Sequence, residues 1–105
     1  MEEIARILKN TGMPFAYDHF AEGESPKPPF ICYSLSGSGN FSADGKVYQK
    51  ITRAVVELYT ARKDPRAEFR IEEALDNAGI FYDTTEVWLP SEKLYEVRFS
   101  FSMRR

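Results

Sequence analysis

The spacing of hydrophobic positions changes along this 105-residue chain, and the changes mark its elements. From Glu2 to about Asn10, Ile4, Ile7 and Leu8 recur at i, i+3 and i+4, one side of a short helix, with Glu2 and Glu3 suited to its positive N-terminal end. Gly12 and Pro14 stop it. Residues 15–29 (FAYDHFAEGESPKPP) crowd three prolines and a glycine toward their far end, so a loop is expected, with room for a short edge strand at Phe15 to Tyr17. Phe30 to Ser36 then alternates, with Ile31, Tyr33 and Leu35 on one face and Phe30, Cys32 and Ser34 on the other: a strand. The following GSGNFSADG, with three glycines, two serines and an Asp-Gly turn signal, reads as a flexible hairpin connection whose one large apolar residue is Phe41.

Lys46 to Thr60 reads as a long strand with a change of phase. Val47 and Ile51 lie on one face, then Ala54, Val56 and Leu58 on the other, which implies a bulge or a first half that packs away from the core. The run exceeds the usual strand length of ~5 to 6 residues, and a projecting hairpin arm satisfies both observations. Asp64 and Pro65 open a helix as N-cap and first helical residue. Its apolar stripe is Ala67, Ile71, Ala74, Leu75 and Ala78, and Gly79 suits a left-handed C-terminal cap. Ile80 to Leu89 is expected as a strand, Pro90 to Lys93 as a turn, and Leu94 to Met103 as a closing strand. In that last strand Tyr95, Val97, Phe99, Phe101 and Met103 face the core, while Glu96, Arg98, Ser100 and Ser102 face water or a partner. The order α-β-β-α-β-β predicts an α+β single domain over residues 1–105: a mainly antiparallel four-stranded sheet with two helices packed on one face and a long β-hairpin arm.

Composition narrows the chemistry. Fourteen Lys+Arg stand against 16 Asp+Glu, a formal net charge of -2, and hydrophobic residues make up 43%, which suits a small globular domain rather than a disordered chain. One cysteine precludes an intrachain disulfide and one histidine precludes a multi-histidine metal site. No basic segment followed by an apolar run opens the chain, and no apolar stretch approaches the ~20 residues of a membrane span, so neither export signal nor membrane segment is expected. No metal or cofactor is expected either.

No catalytic constellation stands out. Glu72, Glu73 and Asp76 read as a solvated helix face, and His19 beside Asp18 lacks a nucleophile motif. Cys32, inside a strand, reads as a small hydrophobe. Gly37 to Asn40 precedes a strand and lacks the Lys-Ser/Thr partner of a phosphate loop. Lys46, Lys50 and Arg53, with Tyr48 and Phe41 near them, outline a nucleic-acid or host-factor surface, with Arg62, Lys63, Arg66, Arg104 and Arg105 as further cations, but the acidic balance weighs against it. The arm, Gly37 to about Thr52, remains. Either it makes an intersubunit contact through Asn40, Phe41, Asp44, Lys46, Tyr48 and Lys50, or it is a bulged hairpin packed on its own domain.

The segments PPFICYSL, NFSADGKVYQKITRAVVELYT, RKDPRAEFRIEEALDNAGIFY and SEKLYEVRFSFSM, in this order and spacing, span most of residues 28–103. Together they resemble the small tail-completion or tail-terminator proteins of long-tailed phages and prophages of Gram-positive hosts. The resemblance implies a non-enzymatic head-tail joining protein of the virion tail, assembled in the host cytoplasm. It implies a ring, a hexamer, that ends the tail tube and docks to the head connector, with the tail tube protein and connector proteins as partners and DNA only passing through. Head-tail adaptor and minor capsid proteins are similarly small.

Overall fold

A computed structural model describes residues 2–38, 41–43, 46–49 and 51–104. Helix α1 spans Glu2–Lys9, followed by strands β1 (Phe15–Tyr17), β2 (Phe30–Ser38), β3 (Phe41–Ala43), β4 (Lys46–Gln49) and β5 (Ile51–Thr60). Helix α2 (Pro65–Asn77) and strands β6 (Tyr82–Leu89) and β7 (Leu94–Arg104) complete the chain.

The main sheet has five strands in the order β1-β2-β5-β7-β6, and β3 pairs with β4 in a separate two-stranded sheet. The β2–β5, β5–β7 and β6–β7 pairs are antiparallel, whereas β1 runs parallel to β2 with Phe15 opposite Ile31 and Tyr17 opposite Tyr33. The expected mainly antiparallel four-stranded sheet is therefore incorrect: the sheet is mixed and has five strands. The reason is local. Three residues are too few to show a period, and residues 18–29 supply the dozen or so positions that a parallel connection needs. The ladder is lengthened at both ends, where Ile31 N–H donates to Pro14 O at 2.9 Å and Asp18 N–H donates to Tyr33 O at 2.6 Å.

The expected long strand from Lys46 to Thr60 is also two elements. β4 pairs only with β3, Ala43 standing opposite Lys46, while β5 continues the main ladder from Ser38 opposite Thr52 to Phe30 opposite Tyr59. The phase change in the sequence thus marks the passage from one sheet to the other. The bulge falls on the partner strand, between Leu35 and Gly37. With principal extents of 49 × 28 × 23 Å the molecule is elongated.

One face of the main sheet carries the core. Ile31 and Tyr33, Ala54, Val56 and Leu58, and Val97, Phe99 and Phe101 project from β2, β5 and β7 onto Ile4 and Leu8 of α1 and Ala67, Ile71 and Leu75 of α2. Burial of each large side chain among these contributes about 1.5–3 kcal/mol. Local chemistry fixes both helices. The Asp64 side chain accepts the Ala67 N–H at 3.2 Å with Pro65 at the first helical position, and Gly79 (φ 72) reverses the chain so that Ile80 N–H reaches Leu75 O at 3.0 Å. After α1, the buried Thr11 hydroxyl donates to Leu8 O at 2.7 Å and accepts from Met13 N–H at 3.2 Å.

Candidate interaction interface

Among the described residues no helix covers the opposite face of the sheet, and its strands present a mixed surface of polar, charged and aromatic side chains set by register. In one row across the sheet stand Cys32, Glu57, Arg98 and Thr85, and in the next Phe30, Tyr59, Glu96 and Val87. Arg98 donates to the Glu57 carboxylate at 2.9 Å. The pair is asymmetric: the Glu57 side chain is 16% exposed and that of Arg98 47%. Water therefore screens the cation while the carboxylate carries most of the desolvation cost. Burial pushes the Glu57 pKa up; the hydrogen bond from Arg98 opposes this, and the nearby Glu96 carboxylate adds to it. Tyr59 is pushed up as well, chiefly by burial and by its hydrogen bond with Glu96.

One corner of this face is covered. The loop after β1 lays Phe20 edge-on against Phe30, 5.5 Å between centroids, and Phe30 stacks on Tyr59 at 5.2 Å. Cys32 is buried in β2, and burial, the Glu57 charge and the Asp18 charge all raise its pKa. That is the reverse of thiolate activation, so it behaves as a packed apolar side chain. His19 Nδ1 meets Asp18 Oδ2 at 2.8 Å with both side chains largely exposed. Among the described residues no group of three or more His, Cys, Asp or Glu side chains is placed to hold a metal ion.

The two ends of α2 differ in character. At its N-terminus a pocket of about 460 Å³ is lined by Pro28 and Pro29, by Thr60 and Ala61 at the end of β5, and by residues Arg62 to Arg66. Lys63 is held by Glu68 and Glu86, each at 2.8 Å, which raises its pKa and ties this end of α2 to β6. Arg62 and Arg66 are exposed and form no ion pair among the described residues. Beyond the C-terminus, Phe81 is 96% exposed and stands in an open groove of about 900 Å³ with Glu3 and Asp83. Asp76 and Glu72 lie near Tyr82, whose pKa is raised first by burial and then by these two carboxylates.

No family model matches the chain, and no curated protein matches it. Its architecture nonetheless has a counterpart among solved structures. The chain shares the fold of a virion component. The similar chain belongs to the virion of a native gene transfer agent (GTA) particle, with a TM-score of 0.58 and 14% sequence identity. The match covers 95% of this chain and 84% of that chain, so the likeness extends through both helices and the sheet. At that identity it is a likeness of fold.

Of the residues expected at an interface, Asn40, Asp44 and Lys50 lie outside the described residues. Phe41 lies in β3 opposite Gln49, Lys46 in β4 opposite Ala43, and Tyr48 is the extra β4 residue at the irregularity between Phe41 and Ser42. Arg53, offered as part of a basic surface, is exposed on the open face of β5 opposite Gly37 and Ser102. The Glu57–Arg98 pair, the Pro28–Pro29 pocket and the bare Phe81 were not foreseen. Alternation does place Glu57 and Arg98 in the polar phase of their strands, a signal from which the pairing can be guessed only once β5 is known to neighbour β7.

Proposed function

We propose that this chain is a structural protein of a phage-type virion, acting at the head-tail junction, where copies close into a ring that terminates the tail tube and docks it to the head connector. The observation that carries the reading is the likeness of fold to a chain of a GTA virion over 95% of the present chain. The resemblance of its ordered sequence segments to tail-completion proteins points the same way. The role is mechanical rather than catalytic.

A ring of this kind gains strength from closure. Each later subunit contact forms at the high effective concentration set by those already made, so contacts that are weak in a pair become persistent in the closed assembly. The hairpin β3–β4, carrying Phe41, Lys46 and Tyr48 and adjoining Asn40, Asp44 and Lys50, reaches a neighbouring subunit in this reading, and the ring is a hexamer. The tail tube protein and the connector proteins meet its two rims. A formal charge of -2 per subunit suits a channel through which DNA slides without being gripped. Assembly takes place in the host cytoplasm and the finished protein resides in the virion tail.

Light scattering of the purified protein, alone and with purified tail tubes, together with negative-stain imaging, tests the proposal. Closed rings and capped tubes are expected. A protein that neither caps tubes nor forms rings at any attainable concentration refutes it, whereas a monomer in dilute solution does not.

A further inference from the structure

We infer that Phe81 of one copy seats in the Pro28–Pro29 pocket at the N-terminus of α2 in the next copy, so that subunits join head to tail. The inference rests on the ring reading for its biological setting, and on the two ends of α2 for its geometry.

Single exposed apolar residues are common on protein surfaces and need no partner. Phe81 differs in how it is held and in what surrounds it. The Ile80 N–H bond to Leu75 O precedes it, and the pairing of Tyr82 with Phe101 follows it, so the ring stands on a stem fixed at both sides while 96% of the residue meets water. A side chain presented on a rigid stem loses little freedom when a partner covers it. Its surroundings are acidic: Glu3 and Asp83 line the same groove and Asp76 lies beside Tyr82, with Arg104 the cation among the described lining residues.

The pocket at the other end of the helix is complementary in both respects. Pro28, Pro29 and Ala61 give it apolar walls, and about 460 Å³ is ample for a benzyl ring. Arg62 and Arg66 stand at its border without carboxylate partners among the described residues, since Lys63 alone is engaged by Glu68 and Glu86. A guanidinium group can both stack on an aromatic face and donate two parallel hydrogen bonds to a carboxylate. An aromatic ring flanked by carboxylates therefore satisfies the pocket and its cations together.

The two features lie at opposite ends of the 13-residue α2, roughly 20 Å apart along its axis. Used once per pair of copies, the contact is heterologous and repeats into a ring when the rotation closes, whereas the same contact made reciprocally in a two-fold pair would stop at two copies.

Cysteine pairing between copies tests this. Phe81→Cys and Ala61→Cys both replace exposed residues, and native Cys32 stays buried. Mild oxidation of an equimolar mixture of the two single variants should give covalent dimers containing one of each, and the double variant should give a ladder beyond dimer. Phe81→Ala should weaken self-association roughly tenfold or more in sedimentation, and should leave the thermal midpoint unchanged at concentrations where both proteins are monomeric. Absence of mixed dimers, or equal dimer yield from each single variant alone, overturns the inference. Rings in electron micrographs without mixed dimers overturn the Phe81 contact and leave the ring reading standing; mixed dimers without rings or capped tubes support the contact and overturn that reading.

Discussion

Replacing Arg98 by methionine keeps most of the aliphatic stem and removes the charge facing Glu57, and the resulting loss of stability should depend on pH. Breaking a fully buried ion pair costs about 3–5 kcal/mol and an exposed one about 0–1 kcal/mol. With Glu57 at 16% exposure and Arg98 at 47%, this pair falls between those limits. We expect Arg98→Met to lose about 1–2 kcal/mol near neutral pH, or roughly 5–10 °C in melting temperature for a domain of this size. The Glu57 carboxyl is already raised in the folded protein, first by burial. Its contribution to stability is therefore present below the unfolded carboxylate value and is lost as pH rises through the folded one. Without Arg98 the folded value rises further and the loss at neutral pH grows, each unit costing about 1.4 kcal/mol, while at about pH 4 the neutral carboxyl has little need of a cation. Urea unfolding at the two pH values, with an unchanged slope, measures the difference directly. In a Glu57→Gln background the same Arg98 substitution should cost little at either pH. Equal losses at both pH values, or a larger loss in acid, would refute the account of the pair.

Asp64→Ala removes the acceptor for the Ala67 N–H and should cost about 1 kcal/mol in urea unfolding, while Asp64→Asn should retain most of it. Phe99→Ala empties a fully buried site between the sheet and the helices and should cost about 3–5 kcal/mol, read as a large fall in the urea midpoint. On alkaline titration followed by ultraviolet absorbance, Tyr59 and Tyr82 should ionise later than ordinary tyrosines, since burial disfavours their phenolates; Tyr59→Phe should remove part of the late transition.

The elements whose partners lie on one buried face were legible in the sequence. Alternation in β7 separates Val97, Phe99 and Phe101 from Glu96, Arg98 and Ser100 because one side of that strand meets helices and the other meets solvent. Asp64, Pro65 and Gly79 bound α2 within a residue because capping is chemistry between near neighbours. The edge strand at Phe15 to Tyr17 was legible, but its parallel pairing with Ile31 to Tyr33 was not, because that depends on where a long loop returns, a tertiary matter that three residues cannot encode. The break between β4 and β5 was visible as a phase change, yet phase alone does not distinguish a bulged strand from a strand that changes sheets. The bare Phe81 and the pocket at the far end of α2 were illegible for a related reason: exposure and concavity belong to the folded surface, and an apolar residue before Tyr82 reads as the start of a strand.

Because Ser38 and Thr52 are direct partners across β2 and β5, the segment between them is spliced into a ladder that already matches on both sides. Among the described residues β3 and β4 pair only with each other, and the main sheet borrows no rung from them. A short reverse turn could join Ser38 to Thr52 with the main β2–β5 pairs intact, much as in a two-residue hairpin. The hairpin is thus an interchangeable part: a graft of different length or sequence would give the same scaffold a new neighbour, and what the molecule touches there can diverge while what folds it is preserved.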